Sequence, residues 1–485
     1  MSGDACMSYL TPDNRFVNRM KTIHLIGIGG SGMSGIAEVL HNLGFDVSGS
    51  DIQNSEVVER LRKMGISVFI GHKAENIIAA NVVVISSAIN KENPELVAAR
   101  ELKKAILSRA EMLAELMRFK IGIAVAGTHG KTTTTSLVAS VLHAGHLDPT
   151  FVIGGLLNSA GTNAGLGTSE YLVAEADESD GSFQLLQPIL AVVTNIDADH
   201  LQTFGGKFSQ LKQAFENFLH HLPFYGVAIL CIDDENVAEL ASRLVRPTIT
   251  YGLSEDAMIR AINISHHKQN MTFDVLQNNA TIAENVTINL PGLHNIQNAL
   301  AAIAIGIELG TSIADIKTGL KEFAGIGRRF NLTQNLNCNA GQFTLVDDYA
   351  HHPTELTAAI NACRGGWDNR LVVVFQPHRY SRTRDLFDEF TSALNHADVL
   401  ILTEVYAAGE QPISGYNTGD LCRSIRTRGK IDPIYIANIN DLNTELNDII
   451  HHDDLVLFVG AGSIGQISKA IVKNQGLTQM DKTNK

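Results

Sequence analysis

A short glycine-rich segment after an apolar run constrains this chain of 485 residues more than any other feature. The run Ile121–Val125 is typical of a buried strand, and Thr134–His143 has the pattern of a helix that ends near Gly145. Between them lies the segment Gly127-Thr128-His129-Gly130-Lys131-Thr132-Thr133. A strand, a glycine-rich loop and a helix in this order form a cradle whose backbone N–H groups face phosphates. The segment therefore predicts an α/β domain that binds a nucleoside triphosphate.

Lys131 and Thr132 supply the chemistry expected of such a loop. The lysine brings a positive charge to the phosphates, and the threonine hydroxyl can bind Mg²⁺. The usual pattern has a glycine where Val125 stands, so we expect Gly127 to make that turn. The alternative is a tight strand–helix turn that carries Lys-Thr by chance. The paired glycines and the run of threonines after Lys131 favour the phosphate loop.

Composition excludes several classes of protein. A net charge of −13 argues against a nonspecific nucleic-acid binder, which would normally present a basic face. The five cysteines are scattered and form no CxxC pair, which is typical of a reducing compartment. The start, Met1–Arg19, lacks the apolar core of a signal peptide, and the longest apolar stretch, Ala299–Leu309, is too short to span a bilayer. We therefore expect a cytoplasmic protein without a membrane segment.

The first block of the chain reads as a βαβ unit. Thr22–Ile26 is a predicted strand, the glycine loop Gly27–Gly32 follows, Met33–Asn42 is an amphipathic helix, and a second strand ends at Asp51. A GxGxxG loop with an acidic residue about 20 positions later favours an NAD-binding Rossmann domain. The same loop also fits a plain βα turn. A second GxGxxG at Gly460–Gly465 shows how little the pattern specifies by itself.

Two further blocks alternate strands and helices. The block that starts at Ile121 contains the phosphate loop, and residues 247–290 within it resemble added antiparallel strands. A long helix is predicted over His294–Leu309. The last block has apolar β-rich runs at Leu371–Phe375, Val399–Thr403 and Leu455–Val459. This alternation predicts parallel sheets.

Acidic and histidine side chains follow two strands of the central block. Glu175 ends the predicted strand Tyr171–Ala174, which is where a Mg²⁺ ligand belongs beside a phosphate loop. Asp177, Glu178 and Asp180 share that loop, and for some of them a solvated acidic loop is the simpler interpretation. Near His200, the segment that begins at Thr194 offers an Asn and two Asp, which could bind a second metal or orient a nucleophile; a purely structural histidine is the alternative.

Two polar segments of the last block also carry chemistry. Asp347–Pro353 contains adjacent histidines without metal-site spacing, so we expect a substrate-facing loop rather than a metal cage. His378–Arg384 follows a strand, and its arginines suit bidentate recognition of a carboxylate or phosphate. The alternative for this segment is a solvated helix start.

Taken together, these segments resemble the Mur ligase family over roughly residues 20–470. The resemblance is carried by Gly27–Ala37, Ser48–Asp51, Gly127–Thr133, Glu175–Asp180, His294-Asn295 with Asn298, Asp347–Pro353 and Pro377–Tyr380. It implies an α/β fold of three domains, each built on a mainly parallel sheet. They are a Rossmann-like domain over residues 1–119, a P-loop ATPase domain over 120–327 and a dihydrofolate-reductase-like domain over 328–485. The first would bind the UDP part of a UDP-sugar, which replaces the NAD expectation.

The resemblance implies an ATP-dependent ligase that joins L-alanine to the lactyl carboxylate of UDP-N-acetylmuramate, an early cytoplasmic step of peptidoglycan synthesis. ATP would phosphorylate the carboxylate, and the amine of L-alanine would displace phosphate from the acyl phosphate. Two Mg²⁺ ions are implied as cofactors. The implied partners are UDP-N-acetylmuramate, L-alanine and ATP, with no nucleic acid or membrane, and the protein would be a monomer or a homodimer.

The resemblance also assigns residues. The catalytic residues would be Lys131, His200 and Arg379, and the metal ligands Thr132, Glu175 and His200. The ATP-binding set is Gly127, Thr128, His129, Gly130, Lys131, Thr132, Thr133, His294, Asn295, Asn298, Arg328 and Asp348. The UDP-sugar set is Gly29, Gly30, Ser31, Gly32, Met33, Asp51, Ser86, Ser87 and Arg109. The amino-acid side would be Tyr349, His351 and Arg379.

One departure and three alternatives stay open at this point. Several Mur ligases carry a carbamoylated lysine some 15 residues after the matching histidine, but here the sequence reads Phe215-Glu216, and Lys207 and Lys212 are out of place. How a second Mg²⁺ is completed is therefore open. A murein-peptide recycling ligase shares the architecture. A nicotinamide-dependent dehydrogenase would leave Lys131 idle, and a noncatalytic nucleotide-binding module would leave the acidic and basic side chains without a role.

Overall fold

The computed structural model describes residues 18–86, 88–157, 162–428 and 430–477, so most of the polar start and the last eight residues lie outside the described residues. The chain divides into two compact units. The first comprises the described residues up to Asn263, with Phe273–Val286 and Gln297–Ala324. The second comprises Ile264–Thr272, Thr287–Ile296 and the described residues from Gly325 onward.

The first sheet is entirely parallel, with the order β3-β2-β1-β4-β5. Its strands are β1 Thr22–Ile26, β2 Asp46–Asp51, β3 Ser67–Ile70, β4 Val82–Ile85 and β5 Ala105–Ser108. Its helices are α1 Ser31–Asn42, α2 Glu56–Lys63, α3 Pro94–Glu101 and α4 Arg109–Arg118. The central position of β1 places the first glycine loop at the middle of the sheet edge, where doubly wound sheets bind ligands.

The second sheet has ten strands in the order β15-β14-β13-β12-β11-β10-β6-β9-β7-β8. The strands are β6 Ile121–Ala126, β7 Thr150–Leu157, β8 Thr162–Gly165, β9 Tyr171–Glu175, β10 Leu190–Val193, β11 Val227–Cys231, β12 Thr248–Gly252, β13 Ile259–His267, β14 Asn270–Gln277 and β15 Ala280–Ile288. The helices are α5 Lys131–Ala144, α6 Phe208–His220, α7 Glu235–Arg243, α8 Leu293–Glu308 and α9 Ile313–Lys321. Strand β6, which leads into the phosphate loop, lies between β10 and β9 and is parallel to both.

The third sheet has six strands in the order β16-β17-β21-β18-β19-β20, and β16 alone pairs antiparallel. The strands are β16 Asn331–Cys338, β17 Gly341–Asp348, β18 Leu371–Phe375, β19 Val399–Thr403, β20 Ile434–Ile436 and β21 Leu455–Val459. The helices are α10 Pro353–Gly366, α11 Tyr380–Asp385, α12 Phe387–Leu394, α13 Thr418–Thr427, α14 Leu442–Ile449 and α15 Ile464–Lys473.

Local sequence explains why these elements form where they do. Strands β10, β18 and β21 are apolar at every position and fully buried, as strands covered by helices on both faces must be. Helix α4 begins with a reciprocal capping box between Ser108 and Glu111, and α3 begins with Asn93 as its cap and Pro94 in its first turn. These buried strand positions would not tolerate charged side chains. Burial of the apolar side chains therefore stabilises the sheets.

The predicted fold class, α/β with three mainly parallel sheets, is confirmed. The strands predicted at Thr22–Ile26, Leu371–Phe375, Val399–Thr403 and Leu455–Val459 have those bounds in the structure. Strand β12, within the stretch expected to add antiparallel strands, instead pairs parallel with β11 and β13. The bounds of the three predicted domains stay predictions. Among the described residues, no helix combines the length and apolar character needed to cross a membrane.

Candidate active site

The two glycines of the phosphate loop occupy positions that only glycine fits. Gly127 has φ +132°, and a Cβ added there would lie 2.0 Å from Thr194 Oγ1. Gly130 has φ +82°, and a Cβ there would lie 2.7 Å from Asn298 Oδ1. Both the left-handed backbone and the close approach exclude a side chain. Gly127 thus makes the turn for which the usual pattern uses an earlier glycine.

Lys131 is the charged centre of the loop. Its Nζ donates to the carbonyl oxygens of Gly127 at 2.6 Å and Thr128 at 3.1 Å, and to Glu178 Oε2 at 2.7 Å. Burial opposes the ammonium form, but the carboxylates of Glu178 and Asp177 outweigh it and raise the pKa of Lys131. The lysine is therefore fully charged at neutral pH and already lies beside the loop that would bind phosphates.

Glu178 is one of three acidic residues for some of which the sequence favoured a solvated loop. Its side chain is only 1% exposed, and its partner is the Lys131 ammonium. Burial raises the pKa of Glu178, and the Lys131 charge opposes that rise. The acidic run after β9 was the only sequence signal for it, and that run does not say which carboxylate turns inward.

Thr132 and Glu175 form the oxygen donor set expected for a magnesium ion. Thr132 Oγ1 donates to Glu175 Oε1 at 2.7 Å, and the backbone N–H of Gly154 donates to the other carboxylate oxygen. A hydroxyl and a carboxylate are the hard oxygen ligands that Mg²⁺ prefers, so these residues fit the ion. The structure brings these two predicted ligands together.

His200 follows β10, whereas the other predicted metal ligands, Thr132 and Glu175, lie in α5 and at the end of β9. It has φ +55° at the start of a 3₁₀ turn, and its Nε2 lies 3.5 Å from Asp199 Oδ2. Phe215, near the place where the resemblance led us to look for a carbamoylated lysine, is fully buried and packs on Phe183, with ring centroids 5.0 Å apart. Lys212 pairs with Glu239 on the next helix. The role of His200 toward a second ion stays a prediction.

The segment after β10 clamps the phosphate loop. Asn195 Oδ1 accepts from the backbone N–H of His129 at 2.8 Å, and Asn195 Nδ2 donates to the His129 carbonyl at 3.0 Å. Thr194 Oγ1 donates to that same carbonyl at 2.6 Å, and the Thr128 hydroxyl accepts from the Asp197 N–H at 2.9 Å. The His129 ring lies 3.1 Å from Asp197 Oδ2. The sequence singled out this segment but expected metal or nucleophile chemistry, not a clamp.

The remaining loop residues lie at the start of α5. Thr133 is buried there, and the Thr134 hydroxyl donates to Asn298 Oδ1 at 3.0 Å. Asn298 therefore contacts the phosphate loop from α8. Its predicted adenine-side contact stays a prediction.

The first glycine loop is held by backbone and carboxylate acceptors of β2. Gly27 and Ile28 donate their N–H groups to the Ser50 carbonyl at 2.8 and 3.0 Å, and Gly29 N–H donates to Asp51 Oδ2 at 2.9 Å. A Cβ at Gly29 would lie 2.8 Å from the same carboxylate oxygen. Asp51, predicted as a ligand contact, therefore also fixes the loop.

The other predicted UDP-sugar residues surround this loop. Gly30 caps α1, which Ser31 begins, and Met33 is buried beneath it. A Cβ at Gly32 would lie 3.1 Å from the guanidinium of Arg109, so the arginine lies against the loop. The Ser86 hydroxyl accepts from the Ala88 N–H at 3.2 Å, and Ser87 lies outside the described residues.

In the second unit, Arg328 is fixed by the loop that follows β21. It has φ +60°, its Nη2 donates to the Gly460 carbonyl at 2.6 Å, and its Nε lies 3.3 Å from Asp347 Oδ1. A Cβ at Gly465 would lie 2.3 Å from Arg328 Cζ. The last glycine of the second GxGxxG motif thus makes room for a guanidinium, which explains that glycine without a dinucleotide.

Asp348, at the end of β17, is a half-buried carboxylate. Burial raises its pKa to about 6, although Arg329 and the N–H groups of Ala350 and Phe330 favour the charged form. Those N–H groups donate to it at 2.8 Å each. The Arg328 guanidinium lies over the ring of the next residue, Tyr349, with Cζ 5.2 Å from the ring centroid.

The predicted amino-acid side forms a cluster of rings. The His351 ring lies 5.3 Å from Tyr349 and 5.9 Å from His378, both edge-on. His378 stacks on Tyr406 at 5.4 Å. Burial, together with His351 and nearby arginines, lowers the pKa of His378 to about 4, so it is neutral at pH 7. Sequence reasoning quoted His378 in its motif but gave it no role.

The remaining predicted site residues are Arg379, on the amino-acid side, and His294 and Asn295 of the ATP-binding set, at the start of α8. Arg379 is exposed, has φ +68° and precedes α11. His294 has its pKa lowered to about 4, chiefly by burial and then by Arg329. Asn295 Nδ2 donates to the Pro291 carbonyl at 2.7 Å. The substrate roles of these residues stay predictions.

Comparison with known proteins covers almost the whole chain. Family models match over residues 22–121 (Mur ligase family, catalytic domain), 125–306 (Mur ligase middle domain) and 328–462 (Mur ligase, glutamate ligase domain). The chain is 31% identical to the UDP-N-acetylmuramate-alanine ligase MurC of Thermotoga maritima, with a TM-score of 0.78 over 93% of this chain and 98% of that one.

Two murein peptide ligases are also similar. That of Psychrobacter arcticus is 24% identical, with a TM-score of 0.67 over 95% of this chain and 100% of its own. That of Neisseria meningitides is 30% identical, with a TM-score of 0.58 over 64% of this chain and 100% of its own.

Proposed function

Because this chain belongs to the Mur ligase family, whose members use ATP to form amide bonds, we propose that it joins L-alanine to the lactyl carboxylate of UDP-N-acetylmuramate. The observation that carries the choice of substrates is the match to an alanine ligase at 31% identity, which spans 93% of this chain and 98% of the other. ATP and a UDP-sugar as substrates fit a cytoplasmic reaction.

The phosphate loop gives this proposal its chemistry. Transfer of a phosphoryl group needs positioning and charge neutralisation more than covalent help from the protein. Lys131 would neutralise charge that develops between the β- and γ-phosphates, because its ammonium is fixed at the loop by two carbonyls and a carboxylate. Thr132 and Glu175 would bind a magnesium ion, which when bound adds further charge neutralisation at the phosphates.

The proposed reaction has two steps, the formation of an acyl phosphate and its breakdown by the amine. The lactyl carboxylate oxygen would attack the γ-phosphorus and release ADP. The amine of L-alanine would then attack the carbonyl carbon, lose a proton and expel phosphate. Arg379 suits the α-carboxylate of the amino acid, because a guanidinium binds a carboxylate through two parallel hydrogen bonds.

The second candidate is a murein peptide ligase, which the matches at 24% and 30% identity favour. It would use the same phosphate loop and differ in the amine it accepts. A nicotinamide-dependent dehydrogenase is disfavoured, because it leaves Lys131, Thr132 and Glu175 without a role.

A coupled assay of ADP release tests the proposed reaction. ADP and phosphate should appear only when UDP-N-acetylmuramate and L-alanine are both present, and mass spectrometry should find the muramoyl-alanine product. ADP release without the sugar nucleotide, or reduction of NAD by the purified chain, would overturn the proposal.

A further inference from the structure

The first sheet contains a fully buried carboxylate that the proposed reaction does not use. Glu95, in the first turn of α3, is 0% exposed. It accepts hydrogen bonds from the Ser50 hydroxyl at 2.5 Å, from Asn76 Nδ2 at 2.6 Å and from the Lys73 N–H at 3.3 Å, and His72 Nδ1 lies 3.2 Å away. Removing a charge from water costs several kcal/mol, so such a residue persists only where many donors surround it.

Ser50 connects this buried carboxylate to the first glycine loop. The Ser50 hydroxyl donates to Glu95, while the Ser50 carbonyl accepts the N–H groups of Gly27 and Ile28. The next residue, Asp51, accepts the N–H of Gly29. Ser50 therefore anchors two successive N–H groups of the loop, and Asp51 anchors the third, so the end of β2 determines the course of the loop.

Strand β1 contacts the same carboxylate from the other side. His24 is 0% exposed, its Nδ1 lies 2.9 Å from the Ser48 hydroxyl, and its Nε2 lies 3.8 Å from Glu95 Oε2. The glycine loop begins directly after β1 and is bonded to the end of β2. Glu95 thus lies against residues of both β1 and β2, the two strands that hold the loop.

Hydrogen bonding keeps Glu95 charged. Burial alone would raise its pKa, but the nearby His24 ring and the hydrogen bonds from Ser50 and Asn76 lower it to about 2. A carboxylate that stays ionised at every working pH is a fixed anchor for the hydroxyl that it accepts.

We propose that Glu95 is a positioning residue of the UDP-sugar site, which acts through Ser50 to fix the course of the first glycine loop and, with it, the N-terminus of α1. The inference rests on the proposed function, because it assumes that this loop receives the diphosphate of a UDP-sugar. Glu95 itself does not touch the substrate.

Loss of the Glu95 contacts should affect binding of the UDP-sugar and not binding of ATP. The N–H groups at the start of α1 would face the diphosphate, and they lose their advantage when the loop before them shifts by fractions of an ångström. Such shifts cost roughly 10- to 100-fold. The phosphate loop after β6 has its own clamp after β10, which Glu95 does not contact. A change at Glu95 should therefore weaken the UDP-sugar and spare ATP.

The variant Glu95→Gln keeps the shape of the side chain but removes its charge and places an amide among donors. We expect KM for UDP-N-acetylmuramate to rise about 10- to 100-fold and KM for ATP to change by less than about twofold. Calorimetric titration with UDP-N-acetylmuramate should show the same loss. Glu101→Gln, at the exposed end of the same helix, is the matched control and should behave like wild type.

A milder variant keeps the test decisive if Glu95→Gln does not fold. Ser50→Ala removes only the connecting hydroxyl and should raise KM for the UDP-sugar by about 3- to 10-fold, with KM for ATP unchanged. Wild-type affinity for the UDP-sugar in a folded Glu95→Gln or in Ser50→Ala would overturn the role of Glu95 alone. A wild-type protein that does not bind UDP-N-acetylmuramate would overturn the proposed function and this inference with it.

Discussion

Lys131 shows how one residue is prepared before any substrate arrives. Its ammonium already contacts two loop carbonyls and Glu178, so its charge is fixed at the phosphate loop rather than recruited to it. A preorganised charge costs no rearrangement during phosphoryl transfer, which is why electrostatic groups of this kind contribute so much to catalysis.

Replacing the lysine should therefore stop the reaction. Lys131→Met should lower kcat by at least about 10²–10³-fold, because one charge donor to the transferring phosphoryl group is lost. Circular dichroism should show a folded protein, and Lys63→Met, at the exposed end of α2, should retain full activity. A soluble Lys131→Met that keeps more than about a tenth of wild-type kcat would refute the phosphate-loop assignment.

Gly130 allows a separation of backbone strain from steric conflict. Gly130→Ala meets both a φ of +82° and Asn298 Oδ1 at 2.7 Å, whereas Gly310→Ala meets a φ of +76° with nothing within 4 Å. Both should lose about 1 kcal/mol of stability through the left-handed backbone. Only Gly130→Ala should also raise KM for ATP, by about tenfold or more, in steady-state kinetics. Equal KM values in the two variants would show that the contact with Asn298 does not matter.

At the scale of elements, two loops that follow neighbouring strands behave as one. The phosphate loop after β6 and the segment after β10 exchange hydrogen bonds through Thr194, Asn195 and Asp197. Because parallel strands end at the same edge of a sheet, residues nearly 70 positions apart in sequence become one structural unit.

Asn195 is the centre of this clamp, since its amide bonds both the N–H and the carbonyl of His129. Asn195→Ala should lower kcat/KM for ATP by about 10- to 100-fold and leave binding of the UDP-sugar unchanged. Asn217→Ala, on the exposed face of α6, is the control. If Asn195→Ala instead weakens both substrates equally, the segment serves general stability rather than the phosphate loop.

We expect Glu95, which packs beside the first sheet, to make the free energy of unfolding depend on pH. Its pKa is lowered from 4.5 to about 2 in the folded protein, so it stabilises the fold above pH 4.5 and loses that effect as the pH falls toward 2. In urea unfolding at pH 7, Glu95→Gln should be less stable than wild type by on the order of 2–3 kcal/mol. The difference should narrow as the pH falls below 4.5. A difference that is constant with pH would mean that the charge of Glu95 does not stabilise the fold.

Helices and strands were easier to predict from the sequence than contacts between distant side chains. Apolar runs such as Leu371–Phe375 predict strands well, because strands covered on both faces must be apolar throughout. The glycine loops and the pairing of Thr132 with Glu175 were also predictable from position after a strand. The inward turn of Glu178 was not, since burial of one carboxylate in an acidic run depends on where Lys131 lies in space. The space that Gly465 leaves for Arg328 likewise depends on long-range packing.

At the scale of the whole molecule, an acidic chain must bind anionic substrates. The net charge is −13, yet the phosphate loop and the first glycine loop present N–H groups at helix starts, with Lys131 and Arg109 beside them. Local positive potential at these loops can therefore oppose the overall charge.

The choice of amine tests the central proposal most directly. With UDP-N-acetylmuramate and ATP saturating, ADP release should be compared for L-alanine, glycine and the tripeptide L-alanyl-γ-D-glutamyl-meso-diaminopimelate. Loss of a methyl group costs about 1–3 kcal/mol, so kcat/KM for glycine should be about 10- to 200-fold below that for L-alanine. We predict that the tripeptide is a far poorer acceptor than L-alanine. If the tripeptide is instead the better acceptor, the chain is a murein peptide ligase and the proposed function is wrong.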